Sequence, residues 1–121
     1  MAAKDFPAIF ADLKSILKKY ESRLVVHADQ ADTYYLNTAT LDKNKKPICF
    51  GAASIRKSFV SYYLMPVYAY PDLLEDASAD LQARMQGKSC FNFKKQDPAL
   101  FKELARLTKA SFDRYKKEGL L

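Results

Sequence analysis

The sequence predicts an α+β fold: a mainly antiparallel four-stranded sheet, N- and C-terminal helices packed on one of its faces, and a short helix before the last strand. Apolar residues recur at three- and four-residue spacing near both ends of the chain, and β-branched and aromatic runs divided by short polar turns fill the middle. A fourth strand-like segment returns after a glycine stop. With 121 residues, 49% of them hydrophobic, the chain reads as a single domain over residues 1–121 that builds its core without metal or disulfide staples.

The first helix is expected to start with Asp5 as cap and Pro7 in its first turn. Its core stripe is Phe6, Ile9, Phe10, Leu13, Ile16, Leu17, Tyr20 and Leu24. The segment from Ala28 to Asp32 after His27 reads as a polar connection. Strands are expected at Thr33–Leu41, Pro47–Ile55 and Ser58–Tyr68, joined by the turns Asp42–Lys46 and Arg56-Lys57 into a meander. Gly51 inside the second run signals a bulge or a close backbone approach.

A short helix should span Leu74, Ala77, Leu81 and Met85, with Ser78 capping its second half and Gly87 beyond it. From Ser89 to Lys95 the pattern alternates, Phe91 and Phe93 to one face and Cys90 and Asn92 to the other. Asp97-Pro98 opens the last helix, whose stripe is Leu100, Phe101, Leu104, Leu107, Phe112 and Tyr115, and Gly119 ends it. The run from Phe59 to Tyr70 offers apolar or aromatic groups to both faces of the sheet. The second face must then be covered by a loop, a ligand or another subunit, a homodimer included, or else remain as an exposed aromatic patch.

Motif chemistry is sparse. Gly87-Lys88-Ser89 is not a Walker loop, because Gln82 stands where that motif needs glycine and the order runs helix to strand. Lys88 and Ser89 remain candidates for weak anion binding. His27, Asp29 and Asp32 form the one mixed imidazole and carboxylate cluster, and so are the candidate metal ligands. Cys49 and Cys90 sit in apolar runs and read as small buried hydrophobes rather than a redox pair. No nucleophile stands in local register with a base, so the sequence points to a binding module rather than an enzyme.

The formal net charge of +6 is unevenly spread. Positive residues gather at Lys43, Lys45 and Lys46, at Arg56 and Lys57, and around the last strand and helix, whereas Asp72, Glu75, Asp76 and Asp80 make the short helix acidic. Glu103, Asp113 and Glu118 interrupt the final basic stretch, which favours a solvated helix face and leaves polyanion or nucleic-acid binding as an alternative. No apolar run reaches the length of a membrane span, and Asp5 and Asp12 break the N-terminal segment. With its free thiols this predicts a cytoplasmic protein with no membrane partner.

The segments Lys46-Pro-Ile-Cys-Phe-Gly-Ala-Ala, Val60-Ser-Tyr-Tyr-Leu-Met-Pro-Val-Tyr and Met85-Gln-Gly-Lys-Ser-Cys-Phe-Asn-Phe-Lys-Lys, with the terminal Leu-Phe-Lys-Glu-Leu helix, resemble the YdhG-like family of small domains of unknown function. The resemblance spans nearly the whole chain. It implies a compact α+β domain similar in overall shape to frataxin and, for some relatives, an iron-chaperone role. The first helix here mixes Asp5, Asp12 and Glu21 with Lys4, Lys14, Lys18, Lys19 and Arg23, so iron handling stands as an alternative. The leading expectation is a binding or interaction module for an unidentified small molecule or protein, with Tyr62, Tyr63, Met65, Tyr68, Lys88, Ser89 and Asn92 as its site.

Overall fold

Six strands, all antiparallel, run in the order β1-β2-β3-β4-β6-β5 across one sheet. The computed structural model describes residues 2–121, with side chains from Phe6 onward. Helix α1 (Ala2–Lys18) leads through a 3₁₀ turn (Glu21–Arg23) into β1 (Val25–Asp29), β2 (Thr33–Leu41), β3 (Pro47–Ile55) and β4 (Val60–Leu64). There follow α2 (Met65–Ala69), a 3₁₀ turn (Pro71–Leu74), α3 (Ala79–Gln82), β5 (Met85–Gln86), β6 (Cys90–Phe93) and α4 (Pro98–Lys117). The α+β class and the antiparallel sheet are as expected; the strand number is six rather than four.

The two additional strands are the edges. β1 overlaps the Ala28–Asp32 segment expected to be a polar connection, and its residues are mostly exposed without alternating in burial. Its order comes from its partner: Val25 pairs with Asn37 and Asp29 with Tyr34, around a bulge at His27. The two-residue β5 likewise exists only because Met85 and Gln86 pair with Phe91 and Cys90. Edge strands carry little local signal, since their order comes from the single neighbour that supplies their ladder hydrogen bonds.

Other boundaries moved for local reasons. α1 begins before Asp5 and ends at Lys18, so Pro7 lies inside the helix, and Leu24 lies outside it. The capping role expected of the Asp5 side chain falls outside the described side chains. β4 stops at Leu64 because Pro66 has no N–H for a ladder; the same proline fits the first turn of α2, where the N–H has no intrahelical partner. Tyr68 is therefore a helix residue. The meander strands β2 and β3 keep their expected limits. In their turn Asp42 Oδ1 accepts from the N–H groups of Asn44 and Lys46, and Lys45 takes the positive φ of 62°.

The capping residues act as their types require. Ser78 Oγ accepts from Leu81 N at 3.1 Å, Asp97 Oδ1 from Leu100 N at 3.2 Å, and Gly119 leaves α4 at φ +78°.

The core lies between the helices and one face of the sheet. Ile9, Leu13 and Leu17 of α1 and Leu104 of α4 are fully buried there, against Tyr34, Leu36, Ala53, Tyr62, Leu64 and Phe91 from the strands. Each such aliphatic side chain contributes about 1.5–3 kcal/mol on leaving water. A β-bulge lets Phe50 join this layer beside Gly51: Leu36 pairs with Gly51 but Asn37 with Cys49. At Gly51 a Cβ would stand 2.9 Å from the Tyr63 carbonyl oxygen and 3.0 Å from Leu17 Cδ2, so glycine permits both the bulge and the close packing of α1.

Candidate functional site

Because strand side chains alternate, the face of the sheet turned away from α1 and α4 can be read from the pairing register. One cross-strand row on it is Tyr35, Ala52, Tyr63, Cys90 and Gln86; the next is Thr33, Ser54, Ser61 and Asn92. The first row sets two tyrosines on either side of an alanine. The second carries hydroxyl and amide groups only. Tyr35, Tyr63, Ser54, Ser61, Cys90 and Asn92 all keep part of their surface in solvent.

The candidate residues divide between the two faces. Tyr62 is excluded from the open one: it pairs in register with Ala53 and Phe91, is fully buried, and its hydroxyl meets Thr108 Oγ1 at 2.6 Å. Its neighbour Tyr63 points the other way, and its hydroxyl lies 3.4 Å from Met65 Sδ. Lys88 Nζ stands 6.0 Å from the centre of the Tyr68 ring, and Tyr68 is 54% exposed, the largest aromatic surface offered to solvent. The Ser89 carbonyl accepts from Leu64 N at 3.0 Å, which fastens the β5–β6 turn to the end of β4. Tyr63, Met65, Tyr68, Lys88 and Ser89 thus meet at one corner of the sheet. Asn92 lies further along β6, where its Nδ2 donates to Gln86 Oε1 at 2.7 Å.

Electrostatics at this corner favour neutral groups. Burial raises the Tyr63 hydroxyl pKa above its ordinary value, and the Ser89 side chain partly offsets this. Burial also pushes the Cys49 thiol up to about 11, against a hydrogen bond with Tyr35 that pulls it down. At neutral pH Cys49 is a protonated thiol and a poor nucleophile. Cys90 is half-buried, not fully buried as its apolar run suggested. β4 separates the two cysteines, and two strand spacings of about 4.8 Å exceed the Cα separation of about 7 Å that a disulfide tolerates.

The metal candidates do not converge. His27 packs its ring against Tyr35, with centroids 5.2 Å apart, whereas Asp29 turns to the helix side and binds Lys14 Nζ at 2.7 Å. The bulge and the pleat of β1 direct the two side chains apart. Asp32 sits in the β1–β2 turn, its carbonyl accepting from Ile55 N. Among the described residues no group of three or more His, Cys, Asp or Glu side chains is placed to hold a metal ion.

Tyr35, Ser54, Ser61 and Gln86 on the open face escaped the sequence reading, whereas Cys49 is buried as its apolar run suggested. Strict alternation from buried Tyr34 would have found Tyr35. A cleft of about 670 Å³ lies at the far end of β6, away from Tyr63 and Lys88, and a second of about 500 Å³ lies between α3 and α4. No described helix is long and apolar enough to cross a membrane.

Fold and site together define an α+β domain whose antiparallel sheet has one face packed by helices and the other bearing partly exposed Tyr35, Ser54, Ser61, Tyr63, Cys90 and Asn92. Comparison with protein-family models, with curated proteins and with solved structures finds no match.

Proposed function

We propose that this chain is a non-enzymatic binding or interaction module, of the kind its resemblance to the YdhG-like family implies, that receives a ligand or partner at the Tyr63–Lys88 corner of its open sheet face. One observation carries this reading: Tyr63, Met65 and Tyr68 from the end of β4 and α2 gather with Lys88 and Ser89 of the β5–β6 turn on the side of the sheet turned away from α1 and α4. An exposed aromatic ring beside a lysine, with a thioether and hydroxyls around it, suits an adaptable mixed contact. The raised thiol and tyrosine pKa values support binding over catalysis, because neither group is poised to exchange protons near neutral pH.

The test is a thermal-stability screen of the intact chain against nucleotides, amino acids, polyamines and acidic peptides, run beside the variant Y68A/K88A. A compound that raises the melting temperature of the parent chain and loses that effect in the variant supports the corner as the site. Equal stabilisation of both proteins, or none by any compound, counts against it.

A further inference from the structure

We propose that the cleft at the far end of β6 is a second binding site, for a small organic anion that carries a carboxylate or phosphate on a flat apolar body. It goes beyond the sheet-face reading and shares only Gln86 and Asn92 with the open face. Its volume of about 670 Å³ falls in the range of small-molecule sites. Three segments build it: Ala83–Gln86 leading into β5, Asn92–Lys95 leaving β6, and Ser58-Phe59 before β4.

The floor is apolar and fixed. Phe93 is 2% exposed and set edge-on to Phe101 with centroids 4.9 Å apart, and half-buried Phe59 and Met85 flank the space. The rim is cationic: Arg84, Lys94 and Lys95 are exposed, and none forms an ion pair with a described residue. The acid on the wall, Asp97, is engaged by Leu100 N at the start of α4. Three positive residues against one carboxylate leave the cleft lining with an excess of positive charge, which favours an anion, and a carboxylate or phosphate gives the Arg84 guanidinium the bidentate partner its geometry prefers. The Asn92–Gln86 hydrogen bond uses one Asn92 amide hydrogen and one Gln86 carbonyl lone pair, leaving the Gln86 amide hydrogens and the second Asn92 amide hydrogen to donate to the anion.

The apolar floor distinguishes this ligand from bare phosphate, and the charged rim distinguishes it from a neutral ring. The experiment follows amide shifts of the ¹⁵N-labelled chain titrated with 2-naphthoate, 1-naphthyl phosphate, neutral 2-naphthalenemethanol and inorganic phosphate. Saturable shifts centred on Gln86, Asn92, Phe93 and Lys94 are expected with the two naphthyl anions, the stronger of which identifies carboxylate or phosphate as the preferred head. Affinity should fall at least about tenfold in R84Q/K95Q, because the anion loses two charge-assisted contacts. Both substitutions are on exposed side chains, so an otherwise unchanged spectrum shows that the fold is retained. The proposal is overturned if the neutral alcohol binds as tightly, if inorganic phosphate alone saturates the same amides with equal affinity, or if no cleft amide moves at millimolar ligand. Shifts confined to Tyr35, Ala52 and Tyr63 would also overturn it, while favouring the sheet face.

Discussion

The Tyr62 hydroxyl in the middle of the sheet donates to Thr108 Oγ1 on α4 across 2.6 Å of fully buried space. The donor is assigned by elimination. Thr108 spends its single O–H on the Leu104 carbonyl at 2.8 Å, so it can only accept from Tyr62. The bond joins the helix layer to the central strands.

Removing either end should cost unequal amounts. Y62F leaves Thr108 with its proton still donated, and should lower stability by about 1 kcal/mol; T108V strands a buried tyrosine O–H, at about 1–3 kcal/mol. The double variant should recover part of the T108V loss. Urea unfolding of all four proteins measures the cycle, and additive losses would show that the two hydroxyls are not coupled.

Gly51 should resist even alanine. The added Cβ would meet the Tyr63 carbonyl at 2.9 Å, and backbone in a central strand cannot move aside as a side-chain tip can. G51A is expected to destabilise by about 1–3 kcal/mol, the usual cost of overpacking. L17A made in the same background should relieve part of that cost, because Leu17 Cδ2 is the next contact at 3.0 Å.

Stability should fall in alkali. The folded chain holds the Cys49 thiol at about 11 against an ordinary value of 9.0, with burial the main cause, and burial likewise raises Tyr62, Tyr35 and Tyr115 above 10.0. Each raised group gives up its proton more readily in the unfolded chain. Its contribution is therefore complete below the unfolded pKa and is lost as pH rises through the folded one. For Cys49 the window runs from 9.0 to about 11, and the difference corresponds to about 2–3 kcal/mol at most. Guanidinium midpoints should be level from about pH 7 to pH 8.5 and drop above it, less steeply in C49A.

Ser78 caps α3 and also clamps it to α4. Its Oγ accepts from Leu81 N, while its own N–H and hydroxyl donate to Glu103 at 2.6 and 2.7 Å. S78A should cost about 1 kcal/mol as a lost cap, and E103Q less, since that pair is exposed. Faster amide exchange at Leu81 in S78A, with the core of α4 unchanged, would locate the loss at the cap.

Much of the fold was legible because its signals are local. The stripes of α1 and α4, the limits of β2 and β3, the caps at Ser78 and Asp97 and the stop at Gly119 each depend on residues a few positions apart. Gly51 announced both its bulge and its close packing. Tyr63, Met65, Tyr68, Lys88 and Ser89 were named from the two-faced run Phe59–Tyr70 and the Gly87-Lys88-Ser89 strand entry, yet Tyr62 was grouped with them although it faces the core.

The sequence by itself determined which stretches could be helix or strand, where the turns fall and how the charge is divided. Only the tertiary structure decided that Tyr62 is core and Tyr63 surface, that Val25–Asp29 and Met85–Gln86 are strands, and that His27 and Asp29 diverge. The same holds for the cleft, whose walls come from Ser58-Phe59, Ala83–Gln86 and Asn92–Lys95. The physical reason is common to all of these. Register, edge pairing and concavity are set by contacts between segments far apart in the chain, and such contacts leave no period in the residues that make them.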